Sequence, residues 1–145
     1  MSSSPTGTNL TPILLATTNP AKQRAFRRLL EGLPLLPVTP AQLGLDSVPE
    51  EEGDTHEAIA RSKAQEWSAA GGSILTIASD GGLVIPALGA RWESRYTHRF
   101  AGPAADDVER VRRLLELMGP HRGPAREASW VEALAIADQG EVLAS

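Results

Sequence analysis

The feature that most constrains this chain is a change of apolar period within its first third. Pro12-Ile13-Leu14-Leu15-Ala16-Thr17 is a short apolar run ending in a polar residue, the pattern of a buried strand. Thr18-Asn19-Pro20 then supplies turn chemistry, with a proline suited to the first turn of a helix. From Ala21 the spacing switches. Phe26, Leu29, Leu30 and Leu33 fall at i, i+3, i+4 and i+7, opposite Gln23, Arg24, Arg27, Arg28 and Glu31, and Gly32 and Pro34 stop the helix. A buried strand that feeds an amphipathic helix through a tight turn points to an α/β architecture.

The rest of the chain continues the alternation. Leu35 to Val38 fits a short second strand, and the Pro/Gly-containing stretch from Thr39 to Gly53 reads as a loop ending in Glu50-Glu51-Glu52. Asp54 with Glu57 resembles a capping box, predicting a helix to about Ala70 that Gly71-Gly72 closes. Ser73 to Ala78 is apolar and β-branched, hence a strand. Asp80-Gly81-Gly82 is expected to turn it before the apolar Leu83-Val84-Ile85. Asp106 or Asp107 opens a further helix with Val108, Val111, Leu114, Leu115 and Met118 as its apolar face, ended by Gly119-Pro120. Ala128 to Asp138 alternates partly, and Gln139-Gly140 is a hairpin signal leading into Glu141 to Ala144. That last hairpin argues against an all-parallel sheet. The expected fold is α/β, a mixed central sheet flanked by helices, with residues 1–11 a disordered leader and 12–145 a single domain. The chain stops on an apolar strand with nothing to cover it, which predicts a missing C-terminal portion.

Composition narrows the function classes. Aromatics make up only 4% of the 145 residues, so the core must rest on Leu, Ile, Val and Ala. With no cysteine, disulfides, thiolate catalysis and thiolate metal sites are excluded. A net charge of −4 disfavours broad nucleic-acid binding, which needs a basic surface. No apolar run approaches the roughly 18 residues of a membrane span. The leader has neither the basic start nor the apolar stretch of a signal peptide. A cytoplasmic protein with no nucleic-acid or membrane partner is expected.

Three constellations carry chemistry. The first is Thr17-Thr18-Asn19-Pro20-Ala21-Lys22, between a strand and a helix. Backbone N–H groups at a helix start favour an anion; the side chains of Thr17, Thr18 and Asn19 add donors and Lys22 a positive charge. It is not a Walker A loop, and the bland alternative is a capped helix with a solvated Lys22. The second is Glu50-Glu51-Glu52-Gly53 ahead of a helix bearing Lys63; acidic loops are commonly just solvated, and Lys63 would face solvent on most helices. The third is Ser79-Asp80-Gly81-Gly82 at a strand end, where a carboxylate and two glycines let backbone approach phosphate. Its alternative is an Asp-Gly hairpin turn. Together they describe a phosphate clamp and two carboxylates, and Mg²⁺ is typically held by one or two protein carboxylates plus substrate phosphate oxygens.

In their order along the chain these motifs resemble the inosine-triphosphate pyrophosphatase family, also called the Ham1 or non-canonical purine NTP pyrophosphatase family. Its opening signature is similar to Thr17-Thr18-Asn19-Pro20-Ala21-Lys22, and its acidic Glu-x-x-Gly and later Lys-Ala to Glu50-Glu51-Glu52-Gly53 and Lys63-Ala64. Its strand-end Asp-Asp-Ser-Gly-Leu is similar to Ser79-Asp80-Gly81-Gly82-Leu83, and further matches occur at Ala87-Leu88-Gly89 and Arg99-Phe100-Ala101-Gly102. Arg126 to Asp138 resembles the family's next strand, so the similarity runs from Ile13 to Ala144.

The resemblance implies hydrolysis of a nucleoside triphosphate such as ITP, dITP or XTP to the monophosphate and pyrophosphate, with Mg²⁺ as cofactor and a homodimer as the assembly. It implies Asp80 as the catalytic carboxylate and a metal contact, and Glu50, with Glu51 as fallback, as the other metal carboxylate. Thr17, Thr18, Asn19, Lys22, Lys63, Gly81 and Gly82 would bind the triphosphate. Three departures stand against the pattern. Ser79 replaces an acid and Gly81 a serine, Ala58-Ile59 stand where many members have Glu-Asn, and the family's later base-recognition segment is absent. They motivate two alternatives: a catalytically impaired nucleotide-binding protein of the same fold, or a pyrophosphatase with another base preference. The other basic clusters, Arg95 to Arg99 and Arg110, Arg112 and Arg113, are expected to be solvated surface. His56, His98 and His121 have no metal-ligand spacing.

Overall fold

The apolar run beginning at Ile13 becomes the centre of a five-stranded sheet. A computed structural model describes residues 7, 9–46 and 52–145. They fall into two compact units: the chain up to Ser79 with Leu134–Ser145, and Asp80–Ala133. The strands are β1 (Thr11–Leu15), β2 (Leu35–Val38), β3 (Thr76–Val84), β4 (Ser129–Asp138) and β5 (Glu141–Ala144); the α-helices are α1 (Pro20–Leu29), α2 (His56–Ala70) and α3 (Asp107–Met118). Sheet order is β2-β1-β3-β4-β5. β1 runs parallel to both β2 and β3, with Leu14 opposite Val38 on one side and Thr76 on the other. β4 and β5 are antiparallel, joined by Gln139 and Gly140, both at positive φ (51° and 78°), as a two-residue hairpin requires. The sheet is therefore mixed, as the terminal hairpin predicts.

In the first unit α1 covers one face of the sheet. Phe26 and Leu30 pack on Ile13, Leu15 and Ile77, with Leu35, Leu75 and Ile136 at the margin. Each such fully buried side chain is worth about 1.5–3 kcal/mol. The apolar face of this helix is narrower than its spacing predicts: Leu29 and Leu33 are more than half exposed. The helix ends at Leu29, so Leu33 no longer follows its period, and Leu29 lies about 100° around the axis from Leu30. The second helix buries Ile59, Ala60, Ala64, Trp67 and Ser68. Its N-cap is Thr55, whose hydroxyl accepts from the Ala58 N–H at 3.0 Å, and not Asp54 as the sequence suggests. The Ser68 hydroxyl donates to the Ile74 carbonyl (2.7 Å) and accepts from the Gly140 N–H (3.0 Å), pinning the hairpin turn to this helix.

The third strand corrects the sequence reading most. It begins at Thr76, since Ser73 has φ 65° and belongs to the preceding turn, and it runs without interruption through Asp80-Gly81-Gly82 to Val84. The glycines do not make a turn. They answer to crowding: a Cβ on Gly81 would come within 2.0 Å of the Glu132 carboxylate and 2.8 Å of the Val131 carbonyl. On Gly82 it would meet the Ser94 carbonyl at 2.0 Å.

The second unit is built on fewer apolar contacts. Ile85, Leu88 and Met118 form its buried cluster, with Leu83, Ala87, Trp92 and Leu114 against them. Asp106 caps α3 by accepting from the Glu109 N–H at 2.8 Å. Of the apolar face read from the sequence, only Leu114 and Met118 are covered; Val108, Val111 and Leu115 are 78%, 56% and 56% exposed. Side chain to backbone bonds do much of the remaining work. Thr97 accepts from the Leu83 N–H (3.0 Å) and donates to the Ser94 carbonyl (2.6 Å), and the Trp92 indole donates to the Leu83 carbonyl (2.8 Å). Among the described residues no helix is long and apolar enough to cross a membrane.

Candidate functional site

The site in the first unit starts where β1 ends. The Ala16 N–H still bonds the Ile77 carbonyl of the neighbouring strand (2.9 Å), after which the chain leaves the sheet and turns into the first helix. The turn is held by its own side chains. The Thr17 hydroxyl accepts from the Asn19 N–H (3.1 Å), and the Asn19 side-chain Oδ1 accepts from Ala21 N–H (2.9 Å) and Lys22 N–H (3.5 Å). The Gln23 amide donates back to the Thr17 carbonyl at 3.0 Å. Asn19 is thus the N-cap expected of its residue type, and the bond uses the oxygen of its amide, not the NH₂ donor. Thr18 and Asn19 are exposed at the helix start, where the helix dipole favours negative charge and no acidic residue stands in the first turn.

Two lysines from different helices meet at one residue. Lys22, in the first turn of α1, donates to the Ser79 hydroxyl at 3.4 Å, and Lys63, in the middle of α2, donates to the Ser79 carbonyl at 3.1 Å. Both lysines are half-buried, and Ser79 itself is 4% exposed. The bland readings of a solvated Lys22 and a solvent-facing Lys63 are overturned by these contacts. Asp80, the next residue of the strand, is 8% exposed.

The structure therefore brings Lys22 and Lys63 together on Ser79, in a unit that also holds Thr17, Thr18 and Asn19. Glu50 and its alternative Glu51, the expected metal carboxylates, lie outside the described residues. Gly81 and Gly82 have a packing cause for their missing side chains in the contacts above. Among the described residues no group of three or more His, Asp or Glu is placed to hold a metal ion. The sequence reading passed over Ser79 as a site residue and noted it only as a departure. Its signal was its place directly before Asp80, where the sequence reading expected the strand to end. Gln23, which braces the turn, had no signal beyond its position on the polar side of α1.

The basic clusters set aside in the sequence are engaged with nearby partners. Arg95 pairs with Glu93 (3.1 Å) and lies 4.8 Å from the Tyr96 ring centroid. Along α3, Arg110 pairs with Asp107, Arg112 with Glu109 and Glu116, and Arg113 with Glu109. Hydrogen bonding from Arg112, with the charges of Arg112 and Arg113, lowers the Glu109 pKa from 4.5 to about 2.

A family model described as the Ham1 family matches residues 13–145. Among curated relatives, a dITP/XTP pyrophosphatase of Rhodopseudomonas palustris is 35% identical over 128 residues, covering 86% of this chain and 60% of the relative. One from Bacillus subtilis is 33% identical over 128 residues, covering 88% of this chain and 64% of the relative. Solved structures with the same fold include a HAM1 protein from Coxiella burnetii, with a TM-score of 0.75 and 27% identity over 90% of this chain and 65% of that one. The Ham1 protein of Staphylococcus aureus has a TM-score of 0.71 and 26% identity, over 88% of this chain and 64% of that one. The chain spans about 60% of the length of the first curated relative it matches.

Proposed function

The chain belongs to the Ham1 family, and from that premise we propose that it is a nucleoside-triphosphate pyrophosphatase hydrolysing non-canonical purine nucleotides such as ITP, dITP and XTP to the monophosphate and pyrophosphate. The observation that carries this reading is the meeting of Lys22 and Lys63 at Ser79, one residue before the buried Asp80. A triphosphate needs concentrated positive charge and donors in fixed places, because phosphoryl transfer is mostly positioning and charge neutralisation.

Each residue has a role in this reading. Lys22 and Lys63 neutralise phosphate oxygens, and the hydroxyls of Thr17 and Thr18 and the NH₂ of Asn19 donate to them at the positive end of α1. Asp80 orients the attacking water and accepts its proton as the bond at the phosphorus forms and the anhydride bond breaks. Gly81 and Gly82, hemmed in by Glu132, Ser94 and Thr97, keep the strand beyond Asp80 close to its neighbours. The carboxylates of Asp80 and of Glu50 or Glu51 suit Mg²⁺, a hard cation that takes oxygen ligands and completes its shell with substrate phosphates and water. When bound, the ion supplies charge neutralisation and polarises the phosphate. By the same resemblance the protein is proposed to be a cytoplasmic homodimer, which a solution mass from light scattering checks.

The test is pyrophosphate release from ITP with Mg²⁺, comparing the chain with Asp80→Asn. Loss of a general base costs about 10²–10⁴-fold in rate, and a folded Asp80→Asn variant that keeps the parent rate removes the assignment. Two other readings remain, each with its own outcome. Ser79, where the family signature carries an acid, favours a nucleotide-binding protein without turnover, and binding of ITP without release selects it. Faster release from another base in a nucleotide panel selects a pyrophosphatase of different preference.

A further inference from the structure

The loop between β1 and α1 is tied down at one residue and left open at the next. Thr17 is held at three atoms: its N–H donates to the Leu15 carbonyl (2.7 Å), its hydroxyl accepts from the Asn19 N–H (3.1 Å) and its carbonyl from the Gln23 side-chain amide (3.0 Å). The helix start has spent its own donors. Pro20 has no N–H, those of Ala21 and Lys22 go to Asn19 Oδ1, and that of Gln23 goes to the Asn19 carbonyl. Thr18 is exposed, and among the described residues its N–H has no hydrogen-bond partner. From Thr17 to Gln23 it is therefore the one backbone donor left for a ligand. A carbonyl only accepts, so the NH₂ end of Gln23 faces Thr17 and its partner settles the orientation of that amide. In a trans peptide the C=O and N–H point in opposite directions. Drawing the Thr17 carbonyl onto α1 thus turns the Thr18 N–H, in the same peptide plane, to the side away from Gln23.

We infer that Gln23 is a positioning residue that holds the Thr17–Thr18 peptide so that the Thr18 N–H donates to a phosphate oxygen of the bound polyphosphate. The inference rests on the reading of this loop as part of a polyphosphate site, and adds which backbone donor is used and what aims it. A donor already fixed in direction costs no ordering when the ligand arrives. Without the Gln23 bond the Thr17 carbonyl has no other donor among the described residues, so this peptide plane can rotate and must be ordered again on binding. All the groups concerned belong to the first unit.

The experiment is amide NMR of the full chain titrated with inorganic tripolyphosphate in Mg²⁺, which reads the affinity and the Thr18 amide proton together. In the parent the Thr18 amide proton moves downfield on binding, as a hydrogen bond to an anionic oxygen requires. Gln23→Met, of similar length and with no donor, weakens binding by about threefold to tenfold or more, the range of one hydrogen bond, and shrinks that displacement. Tripolyphosphate that binds the parent without moving the Thr18 amide overturns the inference and leaves the polyphosphate reading standing. So does a Gln23→Met variant whose Thr18 amide moves as far as the parent's, or whose affinity stays within about twofold of it. A parent that does not bind tripolyphosphate overturns the polyphosphate reading itself. Circular dichroism checks that the variant folds; if it does not, Gln23→Ala takes its place, and if neither folds the Thr18 amide of the parent decides alone.

Discussion

The two compact units bury apolar surface very differently. In the first, Ile13, Leu14, Leu15, Ala60, Ala64 and Trp67 are all at most 2% exposed, and strands β1 and β3 are apolar where helices cover them. In the second, the buried cluster is Ile85, Leu88 and Met118, while three apolar residues of α3 stand more than half exposed. The first unit is held by paired strands with helices on them. The second relies on short 3₁₀ turns such as Pro86–Arg91 and Ser94–Tyr96, on Thr97 and Trp92 reaching backbone, and on contacts that admit no side chain at Gly81 and Gly82. The contrast teaches that apolar periodicity reports burial faithfully only where regular elements stack. Where irregular backbone dominates, hydrogen bonds and steric limits decide.

The largest expected effect is in the first unit. Trp67→Ala removes the largest fully buried side chain and is expected to cost about 3–5 kcal/mol in urea unfolding. A cost below about 1 kcal/mol would erase the contrast. In the second unit Gly82→Ala forces a methyl against the Ser94 carbonyl and the Thr97 hydroxyl, and is expected to cost about 1–3 kcal/mol. The same measurement reads it, and a neutral result would mean that this backbone yields easily. Leu115→Ala, on the exposed side of α3, is expected to stay within about 0.5 kcal/mol, so a loss of 2 kcal/mol or more would show that face covered in solution.

The smallest effect is electrostatic. The Arg112 and Arg113 partners hold the Glu109 carboxyl down to about 2 from its ordinary 4.5. A depressed folded-state pKa stabilises the fold above the unfolded value, and that stabilisation is lost as pH falls from about 4.5 towards 2. Thermal melts across that window should show a small fall that Glu109→Gln lacks. Because Glu109 and its arginine partners lie at the solvent-accessible surface, salt should shrink the difference.

The strand–turn–helix opening was legible because each part has a local cause. An apolar run buried in parallel pairing, Asn19 and Pro20 as helix-start residues, and Phe26 and Leu30 one turn apart all act within a few residues of one another. The same holds for Asp106 as the cap of α3 and Gln139-Gly140 as a hairpin. Asp80-Gly81-Gly82 misled because Asp-Gly is turn chemistry locally, whereas its glycines answer to Glu132 and Ser94, remote in sequence. Helix spacing gave Lys63 no role, since a lysine on a helix says nothing of what the helix packs beside; only the resemblance at Lys63-Ala64 pointed to it.

By itself the sequence determined the order and kind of most elements, the mixed sheet and the family membership that the motif order announced. These depend on short-range stereochemistry and on patterns that repeat every two or 3.6 residues. Tertiary structure alone decided that β3 runs straight through its glycines, that the apolar face of α3 stays exposed, and that Lys22 and Lys63 end on the two oxygens of Ser79. Those outcomes depend on which distant atoms occupy the space around a residue, and no local spacing encodes that.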